Sequence, residues 1–283
     1  MEKKWSTQFM ILFFFIGLIV LLYPSVSSYT NKKAQSKAIT KYEEVLSNTI
    51  DYDKYFDEAR DYNNKLSKLS YPLISYKKLG NTDNILTIDG TKIIGYIYID
   101  KIRVELPIYY GTSESVLASS AGLLEGSSFP IGEIGTHSVI SAHRGLPSSR
   151  LFTDLDTIEI GDTFVVKVLN KTMTYEVDQI LIVKPDDLKS LKIDPDLDQV
   201  TLMTCTPYGI NSHRLLIRGH RVENAVAKLY VSTDAFKVDR LIVTPIACMP
   251  ILLIWIISIA FKPVTNYKKL LDKYVYPNGK MDI

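Results

Sequence analysis

A β-hairpin is predicted by the stretch Thr201-Leu-Met-Thr-Cys-Thr-Pro-Tyr-Gly-Ile-Asn-Ser-His-Arg-Leu-Leu-Ile-Arg-Gly-His-Arg221. Apolar and β-branched residues alternate up to Cys205, as they do in a strand. Pro207-Tyr-Gly209 then predicts a turn, and a return strand carries Arg214. A thiol at the end of one strand, beside a fixed cation on the next, can form a nucleophile site.

The acid or base partner that such a thiol needs is found upstream, in Thr136-His-Ser-Val-Ile-Ser-Ala-His-Arg-Gly145. Two-residue alternation predicts a strand here, and the turn at Gly145-Leu-Pro147 ends it. His143 therefore lies at the exit of a strand, and two strand ends in one sheet can lie side by side. His137 is the second choice for an acid or base.

Three separated motifs resemble those of sortases, the cysteine transpeptidases on the surface of Gram-positive bacteria. Thr201-Leu-Met-Thr-Cys205 looks like the TLxTC signature of that family. Ser141-Ala-His-Arg-Gly145 resembles the histidine motif, and Asn211-Ser-His-Arg214 resembles the arginine motif. The motifs occur in the family's order, and the similarity covers roughly residues 95–221.

Two further features resemble the pilin-polymerising class C sortases: the run Cys205–Tyr208–Gly209–Arg214, and Leu146-Pro-Ser-Ser-Arg-Leu-Phe-Thr-Asp154. The resemblance implies an eight-stranded closed β-barrel. It also implies cleavage of an LPxTG-like sorting signal at Thr–Gly and transfer of the acyl group to a lysine amine of another pilin subunit. The implied partners are pilin subunits and the cell membrane, and no cofactor is implied.

The catalytic roles follow from the resemblance. Cys205 would be the nucleophile, His143 the acid and base, and Arg214 the group that stabilises the oxyanion or positions the substrate. Arg218 and Arg221 are rivals of Arg214, which fits the family spacing. The same motifs contain the residues predicted to bind substrate: Ser141, Thr204 and Tyr208.

Composition narrows the alternatives. The 283 residues carry a net charge of +2, which gives no reason to expect a nucleic-acid partner. Two cysteines are too few for a disulfide framework, and Cys248 lies in an apolar run, which leaves Cys205 unpaired. The spacing of Cys205, His213 and His220 matches no usual zinc pattern, so no metal site is predicted. Arg144 is interpreted as a surface or packing residue.

Both ends of the chain are apolar. Residues 1–28 contain the run Phe9–Tyr23, which predicts a signal peptide or a membrane anchor. Residues 241–261 carry no charge and are long enough to span a membrane, and lysines follow in the predicted cytoplasmic tail, residues 262–283. The positive-inside rule then predicts that the domain between the two segments lies on the extracellular face of the cell membrane.

Two regions separate the first apolar segment from the barrel. Residues 29–70 are predicted to be a helical stalk, with a break at Asp51-Tyr-Asp53, that holds the barrel off the membrane. Residues 71–91 form a connector rich in Pro, Gly, Asn and Asp. In pilin sortases this region carries a lid with an Asp-Pro-aromatic motif, and no such tripeptide occurs here. The expectation is a site that is permanently open or covered by a partner.

The residues from 92 to 225 predict an all-β barrel or sandwich, because short β-rich runs alternate with turn signals. A short helix is predicted over Ser113–Ala121, and a loop or short helix over Pro185–Leu191. The predicted strands outside the two motif regions are Ile93–Ile99, Val104–Tyr110, Thr163–Leu169 and Thr172–Val183.

Three other functions remain open from the sequence. The same residues would serve a cysteine hydrolase, with water in place of the amine. A non-catalytic membrane-anchored scaffold would keep the fold and form no thioester on Cys205. Within the transpeptidases, the runner-up is a wall-anchoring sortase that uses a lipid-linked peptidoglycan precursor.

Overall fold

The computed structural model describes residues 2–47, 50–80, 82–88 and 91–224. Several sequence-based predictions lie outside these residues: the second membrane segment 241–261, the tail 262–283 and the environment of Cys248.

The N-terminal apolar segment is helical. Helix α1 spans Glu2–Leu46. Within the described residues it is the one helix long and apolar enough to cross a membrane, with a candidate span at Leu12–Leu46 and a mean hydropathy of 1.9. Apolar side chains such as Phe13 and Val20 are 69% and 67% exposed. The helix is therefore compatible with membrane anchoring.

From Val26 onward, α1 belongs to the same unit as the β-sheet. Tyr42 is fully buried; its hydroxyl donates to the Ile94 carbonyl at 3.2 Å and accepts from the Leu169 amide at 2.9 Å. The Nζ atom of Lys167 lies 2.7 Å from Glu43. The C-terminal part of this helix is therefore fastened to the strands by buried contacts.

Helix α2, Tyr52–Leu66, packs on the sheet in the same way. Its buried residues Phe56, Ala59, Tyr62 and Leu66 join the main hydrophobic core. The Asn63 side chain bonds both the carbonyl and the amide of Phe129, at 3.0 and 2.8 Å. The region predicted as a stalk is thus helical, with a break between α1 and α2, but its apolar face is part of the core.

Eight strands form the barrel, and two short helices accompany them. The strands are β1 (Ile93–Ile99), β2 (Val104–Tyr110), β3 (Ala121–Leu123), β4 (Thr136–Ser141), β5 (Thr163–Val168), β6 (Lys171–Val183), β7 (Asp198–Thr206) and β8 (His213–Val222). The short helices are α3 (Pro72–Ser75) and α4 (Glu114–Leu117). Single 3₁₀ turns lie at Tyr76–Leu79, Leu155–Thr157 and Lys189–Leu191.

The sheet closes in the order β1-β2-β3-β4-β7-β8-β6-β5, with β1 paired to β5. The pairs β2–β3 and β4–β7 are parallel, and the others are antiparallel. The prediction of an all-β core with about eight strands in a closed barrel is confirmed. Closure leaves no free edge, so the functional groups must lie on a face or at a rim of the barrel.

One predicted element differs from the structure. The helix expected over Ser113–Ala121 ends at Leu117, and Ala121 begins the three-residue strand β3. Such a short strand leaves no periodicity in the sequence. It forms because β2 and β4 supply hydrogen-bonding partners on both sides.

Candidate active site

The β7–β8 hairpin brings Cys205 and Arg214 together. They are register partners in an antiparallel pair, and directly opposite residues have Cβ atoms roughly 4.5–5.5 Å apart. On β7, Leu202 faces the main core, while Met203 joins a second apolar cluster on the other face. Because side chains alternate along a strand, Cys205 shares the face of Met203. Both Cys205 and Arg214 are half-buried there.

The turn that carries His143 lies at the same rim. Strand β4 runs parallel to β7 with Ser141 opposite Met203, and the Ala142 amide donates to the Met203 carbonyl at 3.2 Å. His143 follows directly and is half-buried. The three predicted catalytic residues are therefore on or immediately after three neighbouring strands, in the order β4, β7, β8.

The side chains of His143, Cys205 and Arg214 differ in the hydrogen bonds that they make. Within the described part of the chain, neither the His143 imidazole nor the Cys205 thiol makes a side-chain hydrogen bond. The Nη1 atom of Arg214 donates to the carbonyls of His213 and Asn211, at 3.2 and 3.3 Å. These bonds orient the guanidinium from the β7–β8 loop and leave further N–H groups to act on a substrate.

A second apolar cluster lies on the face that Cys205 occupies. Its buried members are Val139, Leu191 and Leu216, and Met203 packs against them. We call this set of four residues the outer cluster. Leu188 and Leu191 come from the β6–β7 loop, which therefore forms one wall beside the sheet. Val139, Leu191 and Leu216 are only 0%, 6% and 3% exposed, so the cluster is a second small core on the face of Cys205.

The connector packs against this cluster, and the expectation of a site that is open or covered by a partner stays a prediction. Leu73 of α3 packs against the outer cluster. Tyr76 lies against Gly126, where an added Cβ would come within 2.7 Å of its ring. Buried Leu86 and Ile88 anchor the far end of the connector in the main core. Apolar contacts thus hold the connector, which contains no Asp-Pro-aromatic tripeptide.

His137, the second choice for an acid or base, is not available for that role. It is 1% exposed, and its Nδ1 lies 2.8 Å from the Lys192 carbonyl. Its Nε2 lies 2.7 Å from Thr201 Oγ1. Burial lowers the pKa of its imidazole and keeps the ring neutral. His137 instead ties the β6–β7 loop to the sheet.

The rival arginines are also occupied. Arg218 Nε donates to Asp178 at 2.8 Å. Arg221 Nη1 donates to Asn224 Oδ1 at 3.0 Å, at the opposite end of β8 from Arg214. Arg214 is thus the arginine at the rim where Cys205 lies.

The predicted substrate-binding residues occupy different environments. Tyr208 is 60% exposed, and its ring packs on Gly145 of the His143 turn. Ser141 is 9% exposed, at the end of β4. Thr204 is 2% exposed, and its hydroxyl donates to the Ala142 carbonyl at 2.8 Å. This corrects the assignment of Thr204, whose buried hydroxyl supports the His143 turn from below and is not free for a substrate.

Arg144, interpreted from the sequence as a surface or packing residue, is a packing residue. Its side chain is 9% exposed, and its Nη1 donates to Thr206 Oγ1 at 3.2 Å. Among the described residues, no three His, Cys, Asp or Glu side chains lie close enough to hold a metal ion.

Comparisons with known proteins show which family this chain resembles. A family model described as the sortase domain matches residues 97–222. The crystal structure of sortase C1 from Streptococcus agalactiae is similar, with 50% sequence identity and a TM-score of 0.62, covering 66% of this chain and 99% of that one.

Two further relatives extend the comparison. A sortase C of Streptococcus pneumoniae, whose structure is described as informative on catalysis and pilin substrate specificity, shares 41% identity with a TM-score of 0.58, over 66% of this chain and 96% of that one. Sortase A of Bacillus anthracis is 25% identical over 218 residues, which are 77% of this chain and 95% of that protein. With its closed eight-stranded barrel and its close likeness to class C structures, the chain belongs to the sortase family.

Proposed function

We propose that this protein is a membrane-anchored cysteine transpeptidase of the pilin-polymerising type. It cleaves an LPxTG-like sorting signal between threonine and glycine and joins the acyl group to a lysine amine of another pilin subunit. The observation that carries the proposal is the register of Cys205 against Arg214, at the rim that the His143 turn borders. The similarity to a sortase C described in terms of pilin substrate specificity supports the choice of substrate.

In the first half-reaction, the Cys205 thiolate attacks the threonine carbonyl carbon of the sorting signal and forms a C–S bond. Negative charge develops on the carbonyl oxygen, and the Arg214 guanidinium stabilises it. The C–N bond to glycine then breaks, and the His143 imidazolium gives its proton to the departing amine. The product is a thioacyl-enzyme with a neutral His143.

In the second half-reaction, a lysine amine attacks the thioester carbonyl. His143 accepts the proton that the amine loses, the C–S bond breaks, and the Cys205 thiolate is regenerated. The new bond is an isopeptide between two subunits. Water in place of the amine would make the same site a hydrolase, so the protein must favour the amine.

The sorting signal is bound beside the outer cluster. Met203, its half-buried member, contacts the peptide, and the buried residues Val139, Leu191 and Leu216 support it. Tyr208 is exposed at the other side, on the β7–β8 loop. An extended peptide on this surface would bring its carbonyl to Cys205. The N-terminal part of α1 anchors the chain in the cell membrane, and the barrel works on the extracellular face.

The test uses the full-length chain in detergent, with Cys248→Ala so that Cys205 is its sole thiol. The protein is incubated with a peptide that carries an LPxTG-like motif, and its intact mass is recorded with and without hydroxylamine. We expect a mass gain equal to the acyl fragment, released by hydroxylamine and absent in the Cys205→Ala variant. No gain on the folded protein with a panel of sorting-signal peptides would overturn the proposal.

The acceptor is identified by supplying three nucleophiles to the thioacyl-enzyme: a lysine-containing pilin peptide, a peptidoglycan stem peptide with a free amine, and water alone. Faster loss of the adduct with the pilin peptide, with an isopeptide product, is the expected result. Preference for the stem peptide would assign a wall-anchoring sortase. Equal release in all three would assign a hydrolase.

A further inference from the structure

Arg144 links the neighbours of both proposed catalytic side chains. It directly follows His143, and its Nη1 donates at 3.2 Å to the hydroxyl of Thr206, which directly follows Cys205. Its Nη2 forms an ion pair with Asp156 in the loop between β4 and β5. The Arg144 side chain is 9% exposed and Thr206 is 8% exposed, so the link is buried inside the rim.

The backbone of the His143 turn is held on its other sides by separate bonds. The Ala142 carbonyl accepts from the Thr204 hydroxyl at 2.8 Å, and the His143 carbonyl accepts from the Phe152 amide at 3.1 Å. The Gly145 amide donates to Thr153 Oγ1 at 3.2 Å. These bonds hold the turn to β7 before Cys205 and to its own loop. The Arg144–Thr206 bond holds it to β7 after Cys205.

The imidazole of His143 has no side-chain hydrogen bond within the described part of the chain. Its position therefore depends on the backbone of the turn. Without Arg144, the turn would be held to β7 only before Cys205, at Met203 and Thr204, and could pivot about that side. The attachment at Thr206 lies after Cys205, so the attachments flank Cys205 and fix the turn relative to it.

A contribution to folding stability does not by itself explain why a buried arginine occupies position 144. Burying a guanidinium removes its hydration, and an ion pair with Asp156, whose side chain is 48% exposed, adds little net stability. Its Nε is buried with no hydrogen-bond partner in the described structure, which adds a further penalty. What an arginine offers here is a rigid planar fork whose two Nη atoms hold two acceptors in a fixed geometry, which the single nitrogen on a flexible lysine stem does not impose.

We infer that Arg144 is a positioning residue, which sets the distance between the His143 imidazole and the Cys205 thiol by bracing the histidine turn against Thr206 and Asp156. The inference rests on the proposed function, because it takes His143 and Cys205 as the reacting pair. It assigns no contact with substrate to Arg144. Misplacing a catalytic group by about 1 Å can reduce a rate by about 100-fold, so the brace has a measurable effect.

The test measures how readily Cys205 reacts with a small alkylating reagent as a function of pH, in the full-length Cys248→Ala chain. This reaction needs no sorting signal, and a nearby imidazolium favours the thiolate at lower pH. The variants are Arg144→Ala, Arg144→Lys and Thr206→Val, with His143→Ala as reference. The matched control is Arg150→Ala, which breaks a 2.7 Å ion pair with Asp154 in the same loop, an exposed pair without a link to β7.

We expect Arg144→Ala to move the midpoint of the alkylation profile toward that of His143→Ala, and to reduce the rate of thioacyl formation by about 10- to 100-fold with little change in KM. Arg144→Lys should be intermediate, and Arg150→Ala should match the parent protein. Thr206→Val keeps the shape of the side chain and removes the acceptor. It should move the profile in the same direction even if Arg144→Ala does not fold.

Two results would overturn the inference, and each contradicts a different part of it. If His143→Ala moves the profile while folded Arg144 and Thr206 variants do not, the bracing role alone is wrong. If His143→Ala leaves the profile unchanged, the proposed catalytic pair is wrong, and the role of Arg144 falls with it.

Discussion

Cys205 lies directly opposite Arg214 across the β7–β8 pair, on the sheet face that also carries Met203 and Leu216. Backbone hydrogen bonds therefore fix the Cα positions of the two residues relative to each other. In the proposed reaction, the thiol attacks the carbon of one carbonyl group while the guanidinium contacts its oxygen. Such pre-organisation is the basis of the first prediction.

Replacing Arg214 by Lys should reduce kcat by about 100- to 1,000-fold, the usual cost of losing a donor to a developing oxyanion. The lysine keeps the charge but lacks the planar fork. Steady-state kinetics with a sorting-signal peptide measure the effect. Arg218→Lys is the control, because Arg218 is on the same strand and bonds Asp178. Equal effects of the two substitutions would contradict a specific role for Arg214.

Leu73→Ala should speed thioacyl formation, because it weakens the contact that holds the connector over the outer cluster. The initial rate of mass gain on Cys205 is the measurement. Ile74→Ala is the control, since the neighbouring Ile74 lies in the same short helix and is 67% exposed. A slower rate with Leu73→Ala would mean that the connector helps to bind the substrate.

Gly145→Ala should reduce both stability and activity. The residue has a φ of +79°, and an added Cβ would lie 2.9 Å from the Tyr208 ring. The backbone term alone costs about 1–2 kcal/mol, and the contact displaces either the ring or the His143 turn. Gly161→Ala has only the backbone cost, because the φ of Gly161 is +90° and no atom lies within 4 Å of the added Cβ. We expect both variants to have a lower melting temperature and only Gly145→Ala to have a lower kcat. Equal kcat values in the two variants would contradict this prediction.

Asp198→Asn should flatten the stability of the protein between about pH 4 and 6. Asp198 is buried at the start of β7, and burial raises the pKa of its carboxyl from 3.8 to about 6, although Tyr175 and Arg221 partly oppose this. The folded state therefore holds a proton that the unfolded chain releases. Stability falls as the pH rises through this window, by about 3 kcal/mol.

Urea unfolding at pH 4 and pH 7 measures this difference in the two proteins. Asparagine keeps an acceptor for the Tyr175 hydroxyl without the buried charge. The variant should gain stability relative to the parent protein at pH 7, and an identical pH dependence in both would contradict the assignment.

His137→Phe should produce a different change. Burial lowers the pKa of His137, so the unfolded chain binds a proton more readily and stability is lost as the pH falls below 6.5. The phenylalanine in the variant binds no proton, so the variant lacks this loss of stability at low pH. It also leaves the Lys192 carbonyl and the Thr201 hydroxyl without their partner, which costs about 1–3 kcal/mol.

The expected functional result is a higher KM for the sorting peptide, since His137 ties down the β6–β7 loop. Leu197→Ala is a control for general loosening of that loop, because Leu197 is 38% exposed at its far end. A change in kcat without a change in KM would mean that His137 acts on the chemistry.

Alternation of apolar residues along β4 and β7 was enough to predict both strands, because each has one face in the main core. The motif order predicted Cys205, His143 and Arg214 as a set. Strand β3 was not predicted, because three residues are too few to show the two-residue alternation of a strand. Its formation depends on neighbours that are supplied by other parts of the chain.

The local features of this protein follow from its amino-acid pattern: where strands run, where turns interrupt them, and which residue types have reactive groups. Which of these groups are available depends on the packing of distant segments. Thr204 lies within the cysteine motif and His137 lies shortly before the histidine motif, yet burial and hydrogen bonds give both a structural role. The hydrogen bond between Arg144 and Thr206 joins residues that are 62 positions apart in the sequence. Burial and hydrogen-bond partners come from strands distant in the chain, and a local pattern cannot specify them.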